Sequence, residues 1–226
     1  MQHSDSFRLS IQQRLDAALV QARDATDLRR AAVALVLVEA GFGADLPGFA
    51  RHERWRADAA FLLTRRATTL ARHAGQWALP GGRIDAGETA VAAALRELHE
   101  ELGLLLPPTS VLGQLDDYTT RSGYVITPFV VWAESGLESG SDAALRLDAA
   151  EVASVHRIPL TELLRQEAPL LDPPHEGHHQ PVLRMPLGDQ WVAAPTAAVL
   201  YQFSEWCLHG RTTRVAHFDQ PRFTWR

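Results

Sequence analysis

The chain predicts an α/β fold: a mixed β-sheet between layers of helices, an α/β/α sandwich. Short apolar runs of strand length at 31–38 and 59–63 alternate with stretches of helical periodicity. Strands interleaved with helices point to a sheet covered on both faces. The composition agrees, since 46% hydrophobic and 22% charged residues over 226 positions can bury a proper core.

The elements follow in order. Leu9, Ile11, Leu15, Leu19 and Val20 with polar spacers predict an amphipathic helix over about 7–24. The runs at 31–38 and 59–63 read as strands, and GFGADLPGFARHERWR between them as an excursion. A Gly-rich loop and a helix follow, then strands near 110–117 and 124–133, then a loop, ESGLESGSD. A strand near 153–158 leads into a short helix over 159–167, whose Thr161 is a candidate cap. Strand fragments at 181–185 and 190–193 precede a last helix over about 197–208 and a tail. With no repeat, low-complexity tract or linker, residues 1–226 read as one domain.

Charge and cysteine content exclude several classes. A net charge of −5 argues against nucleic-acid and anionic-membrane binding, which need a basic surface. The single Cys207 excludes an internal disulfide framework and reads as a buried apolar residue. The start, MQHSDSFRLSIQQ, lacks the pattern of a signal peptide, and no apolar run has the length of a membrane span. A cytoplasmic protein, monomer or homodimer, is the expectation.

The chemistry is concentrated in GGRIDAGETAVAAALRELHEELGL. Val91, Leu95, Leu98 and Leu102 form one apolar helical stripe, which leaves Glu97, Glu100 and Glu101 together on roughly the opposite face. Three like charges so close destabilise a helix unless a divalent cation gathers them; the bland alternative is a solvated acidic face. Ala90, Ala93 and Ala94 read as room for a diphosphate beside that face. Gly103 stands where a helix C-cap belongs, and Gly81-Gly82 suits a turn presenting its carbonyl inward. Arg96 is placed to pair with Glu88 and brace the loop against the helix.

Gly82, Glu88, Arg96, Glu97, Leu98, Glu100, Glu101, Gly103 and Leu104 stand at G-x5-E-x7-R-E-U-x-E-E-x-G-U, where U is aliphatic. The pattern resembles the Nudix box of hydrolases that cut a diphosphate linked to another moiety. The resemblance implies that Glu97, Glu100 and Glu101 hold Mg²⁺ or Mn²⁺ with the Gly82 carbonyl near them. It also implies that one of these glutamates, or a carboxylate from a later loop, activates water.

The flanks resemble a subgroup, the coenzyme A pyrophosphatases. Leu62-Leu63-Thr64-Arg65-Arg66-Ala67, Leu70, His73-Ala74-Gly75-Gln76 and Leu79-Pro80-Gly81-Gly82 carry the likeness, and LGQLDDYTTRSGYVITPFVV extends it. The implied products are 3′,5′-ADP and 4′-phosphopantetheine. Trp77 replaces a β-branched residue of that subgroup and Leu79 a phenylalanine, and WVAAPTAAVL lacks its glycine. ADP-ribose, a dinucleotide or a nucleoside triphosphate is therefore the second substrate reading, and a nucleotide sensor without turnover the third.

Arg65, Arg66, Arg72 and His73 are the cationic candidates for substrate phosphate, although strand alternation lets only one of Arg65 and Arg66 face a pocket. Trp77 is the candidate for adenine contact, whereas Trp132, Trp191 and Trp206 read as core. Ser122 or Thr120, or one of Asp116 and Asp117, is placed to face the site from a strand end. His175, His178 and His179 read as solvated loop residues. The final RVAHFDQPRFTWR, rich in aromatics and Arg, suggests a tail packed on a second subunit.

Overall fold

The computed structural model describes residues 1–24, 27–134, 145–174 and 180–224. The three histidines at 175–179 and most of the ESGLESGSD loop lie outside the described residues. In chain order the strands are β1 (Arg29–Gly41), β2 (Arg56–Arg66), β3 (Trp77–Ala78), β4 (Gly81–Arg83), β5 (Val111–Gln114), β6 (Tyr118–Thr119), β7 (Tyr124–Trp132), β8 (Val152–Pro159), β9 (Leu170–Asp172), β10 (Val182–Leu187) and β11 (Gln190–Ala193). The helices are α1 (Asp5–Asp16), α2 (Ala90–Leu102) and α3 (Thr196–Phe203), the last continued by a π-helical turn Ser204–His209.

The near-continuous apolar run in β1 has a simple cause: the strand is buried on both faces. Ala32, Ala34, Val36, Val38 and Ala40 meet Ala93, Ala94, Leu98 and Leu102 of α2 in one core cluster. Leu35 and Leu37 point the other way, into a cluster shared with α1, α3, β10 and β11. β1 pairs antiparallel with β2 and parallel with β7, while β8 adds outside β2, and β5 and β6 flank β7. The eight-stranded mixed sheet lies between α2 on one face and α1, α3 and the three-stranded sheet on the other. This is the predicted α/β/α class with a small antiparallel sheet added to one layer.

One departure from regular pairing makes the site. β1 and β2 pair through Leu37↔Phe61 and Val38↔Ala60, and then part. Ala31–Val33 of β1 takes β4 instead, and Thr64 and Arg65 of β2 take β3. Residues 77–83 therefore fill the opening between two central strands and enter the sheet at its middle.

Several sequence expectations change. α1 ends at Asp16, so the 7–24 span is too long, and Leu19 is exposed. The chain beyond it is held instead by Asp116, which accepts from the Gln21 N–H, and by Asp117, which accepts from the Arg23 N–H. The short helix after β8 is 3₁₀ over Leu160–Leu164 and starts at Pro159 with no side-chain cap, so Thr161 has no such role. Ala93 and Ala94 are core, letting α2 approach the sheet, and leave no room for a ligand. The final segment packs on its own chain: Asp219 pairs with Arg121, and its N–H donates to the Pro181 carbonyl. Cys207 is buried, its thiol pushed up to about 12 by desolvation, in keeping with an inert apolar role. Among the described residues no helix is long and apolar enough to cross a membrane.

Candidate active site

α2 is set by its ends. The Thr89 hydroxyl accepts from the Ala92 N–H at 3.2 Å, and Gly103 closes the helix in the left-handed region at φ +69°. A Cβ at Gly103 would stand 2.9 Å from that of Arg146, so packing as well as backbone geometry requires glycine. At the other end of the motif, a Cβ on Gly82 would fall 2.2 Å from Glu97 Oε1. Gly82 lies in β4, not in a turn, and the missing side chain is where the Glu97 carboxylate sits.

The acidic residues do not share one environment. Glu101 is buried (4% exposed), and its Oε2 accepts from the Gly81 N–H at 3.2 Å. Burial raises its carboxyl to about 8, more than that hydrogen bond and the nearby Arg66 charge can offset. Glu97 is half-buried and also raised, chiefly by desolvation, with Arg96 pulling the other way. Glu100 has a 57% exposed side chain and accepts from Arg96 at 2.9 Å. The structure therefore splits the expected trio. Ligand atoms of Glu97 and Glu101 come together with Glu151, all within 4.8 Å of one another, and Glu100 lies outside that group. Glu151 precedes β8, and its carbonyl accepts from the Ala67 N–H. It stands some fifty residues from the motif, beyond the reach of any local spacing argument.

Arg96 is the brace. It donates to both carboxylate oxygens of Glu88 at 2.9 and 3.1 Å, to Glu97 at 3.0 Å, and to the Arg83 carbonyl at 3.0 Å. Glu88 also accepts from the Asp85 N–H, so its carboxyl is held low, by Arg96 first. One guanidinium thus ties loop, β4 and helix together, and orients Glu97 while leaving Glu101 to the backbone.

A cleft of about 1130 Å³ borders the carboxylates at Arg66, Gly81 and Gly82. Its lining contains Arg29, Arg66, Arg72 and Arg83 and no carboxylate among the described residues. Arg66, Arg72, His73 and Trp77 line it, as does Gly82; Arg65 does not. Alternation on β2 separates the two arginines: Arg65 lies over the Trp77 ring at 5.4 Å and donates to the Gly75 carbonyl. Arg66 Nε is buried without a hydrogen-bond partner. His73 is driven toward its neutral form by burial and the Arg66 charge.

Asp116 and Asp117 do not reach the cleft. Both are buried, in the bend between β5 and β6 where strand alternation does not apply. Asp116 is bonded to Gln202 and Arg214, and Asp117 accepts from the Thr127 hydroxyl. Thr120 and Ser122 do line the cleft. Trp132 and Trp206 are core as expected, but Trp191 is 40% exposed and forms the far wall with Phe223, ring centroids 6.0 Å apart. Arg29, Arg83, Tyr124, Trp191 and Phe223 complete the lining and were not among the sequence candidates.

Comparison with known proteins identifies the family. The NUDIX domain family model matches residues 52–183, more than half of the chain. An uncharacterized Nudix hydrolase, NudL, of Photorhabdus laumondii is 35% identical over 146 residues, 64% of this chain and 75% of that protein. Its namesake in Cronobacter sakazakii is 39% identical over 49% of this chain, and the match spans only 55% of that protein. A MutT protein structure from Methanosarcina mazei covers 66% of this chain and 84% of its own at 20% identity, with a TM-score of 0.41. On the family match and the residues that carry it, the chain belongs to the Nudix hydrolase superfamily.

Proposed function

We propose that the protein is a divalent-metal-dependent diphosphatase acting on coenzyme A or its derivatives, with 3′,5′-ADP and 4′-phosphopantetheine as products. The observation that supports it best is the junction of two opposite chemistries. Three carboxylates within 4.8 Å of one another border a cleft lined by four arginines and, among the described residues, no carboxylate. The substrate reading rests further on the run from Leu62 to Gly82, whose Arg66, His73, Gly75 and Gln76 line that cleft.

The donor set suits a hard cation. All its ligand atoms are carboxylate oxygens, and Glu101 is buried with no cationic partner in contact among the described residues. Mg²⁺ or Mn²⁺ held there would polarise phosphate oxygens and make a water more acidic. In this reading Glu97, Glu101 and Glu151 hold the ion with the Gly82 carbonyl, and Glu100 stands beside them. Arg96 and Glu88 keep Glu97 in place. Glu151, exposed and carried by a separate loop, accepts the proton of the attacking water. Arg66 turns its guanidinium to a substrate phosphate oxygen, Arg72 and His73 widen that contact, and Trp77 stacks on adenine. A cleft larger than those of most small ligands suits a long substrate.

The test is product analysis after incubation with Mg²⁺ or Mn²⁺ and, in parallel, coenzyme A, acetyl-coenzyme A, ADP-ribose, NADH and a nucleoside triphosphate. Preferred release of 3′,5′-ADP supports the reading. Preferred cleavage of NADH would favour a dinucleotide, for which the Trp191–Phe223 wall offers a second flat surface. Binding without any product would favour a sensor.

A further inference from the structure

We infer that Arg29, Arg83 and Tyr124 form a second anion subsite, which takes a phosphomonoester of the substrate separate from the diphosphate that is cut. The inference deepens the function proposed above and rests on it for the identity of the substrate.

The register builds the subsite. Arg29 is opposite Tyr124 where β1 pairs with β7, and Arg83 is opposite Ala31 where β4 pairs with β1. Alternation then puts Arg29, Ala31 and Val33 on the cleft face, beside Tyr124 and Ile126 of β7. The Arg29 guanidinium lies 4.0 Å from the Tyr124 ring centre, and that of Arg83 lies 5.8 Å from it. Arg83 Nε donates to the Tyr124 hydroxyl at 3.0 Å, and Arg29 Nη2 to the Ser122 carbonyl at 2.8 Å.

Two cations gathered on one ring repel each other, and pinning long exposed side chains costs entropy. Arginines placed only for solubility would spread apart or find carboxylates. These have none in contact among the described residues, in a protein of net charge −5. Each guanidinium carries five N–H donors and uses one in the bonds above, so most of the fork capacity is unspent. The Thr120 and Ser122 hydroxyls, 3.1 Å apart, line the same end of the cleft. A tetrahedral dianion satisfies such a set; a planar neutral group does not.

The subsite is separate from the carboxylates. Gly82 turns its open face to Glu97 on the helix side, so its neighbour Arg83 faces the cleft. Arg29 stands four residues along β1 from Val33, the partner of Gly81, or roughly 13 Å at strand rise. A nucleotide bearing a ribose phosphate in addition to its diphosphate spans the two.

The experiment compares wild type, R29A/R83A and R29K/R83K in two arms. In the first, kcat/KM is measured for coenzyme A and for 3′-dephospho-coenzyme A. Wild type should prefer the former, and R29A/R83A should shrink that ratio roughly tenfold, with R29K/R83K between them. An equal loss on both substrates, or an unchanged ratio, overturns the inference. In the second arm, 3′,5′-ADP and 5′-AMP are titrated without turnover. Tighter binding of 3′,5′-ADP that is lost in R29A/R83A upholds the subsite even if coenzyme A is not cleaved, which would then count against the proposed function alone. Equal affinity of wild type for both nucleotides overturns the subsite whatever the enzyme cuts.

Discussion

The two sides of the candidate site carry opposite charge, each only partly compensated within the protein. On the helix side, Glu97, Glu101 and Glu151 crowd together, and burial holds Glu101 up at about 8. On the cleft side, among the described residues, four arginines line a cavity without a carboxylate, and Arg66 Nε is buried with no hydrogen-bond partner. The two meet at Gly81 and Gly82, yet the Arg66 charge offsets only part of what burial costs Glu101. Sites that fold for stability pair their charges. Here each side is left to be completed by a ligand of opposite sign, a cation on one and phosphate on the other.

The sharpest way to break this comparison is Glu101→Gln, read in two ways. Turnover should fall on the order of a hundredfold or more, since even residues behind metal ligands cost 10–100-fold when lost. Stability of the metal-free protein should move the other way. Between the ordinary carboxylate value of 4.5 and about 8, folded Glu101 keeps a proton that the unfolded chain has released. Stability therefore falls as pH rises through that window. At pH 8 the Gln variant, which retains an acceptor for the Gly81 N–H, should be more stable by on the order of 1–3 kcal/mol, and the gap should close near pH 4.5. Denaturant melts in chelator at the two pH values measure it. A variant that loses both activity and stability would make Glu101 a structural residue.

Arg66→Ala examines the other side. Removing one charge-assisted phosphate contact should raise KM by roughly 10–100-fold. Arg65→Ala, one residue away but outside the cleft, should change KM less than threefold or so. Equal effects would mean that alternation on β2 does not sort the two arginines.

The two sides also differ in how far the sequence reveals them. The helix side is mostly local: Glu88, Arg96, Glu97 and Glu101 lie within fourteen residues, so helical period and spacing suffice to find them. Glu151 escapes because it comes from the loop before β8, and only β2–β8 pairing brings it near. The cleft side is assembled from register. Arg29 meets Tyr124 across β1 and β7, and Phe223 is held by Gln76 Nε2 on its carbonyl, 147 residues away. No window of sequence contains such pairs. Alternation also misled where the chain is not a strand: Asp116 and Asp117 are both buried, each serving as a tie for the segment after α1. The alanines of α2 were read by face, yet the close approach of helix to sheet decides their role.

Trp77→Ala should raise KM by about tenfold, the cost of a lost base stack, while Trp77→Phe should recover most of it. Equal affinity in both variants would move adenine elsewhere, with the Trp191–Phe223 wall as the next place to look.

The smallest effect lies behind Trp77. The His156 ring packs edge-on to it at 5.4 Å, with Nδ1 2.7 Å from the Ala44 carbonyl and Nε2 2.8 Å from the Ser154 hydroxyl. A neutral ring satisfies both, donating from Nδ1 and accepting at Nε2. Burial lowers the His156 pKa below 6.5, with Arg65 adding to the shift and the Ala44 carbonyl and Asp45 opposing it. Its contribution to stability is complete above pH 6.5. It shrinks as pH falls from there toward the lowered folded value, because the unfolded chain takes up the proton first. His156→Gln should flatten the acid limb of stability below pH 6.5 by less than about 1.4 kcal/mol per pH unit, as read by urea midpoints. The same variant should leave the chelator-dependent behaviour of Glu101 untouched, since the two shifts have opposite sign and lie on opposite sides of the site. An acid limb of unchanged slope would assign the proton uptake to His3, stacked on Trp132 at 3.8 Å, or to His73, both lowered by burial in the same direction.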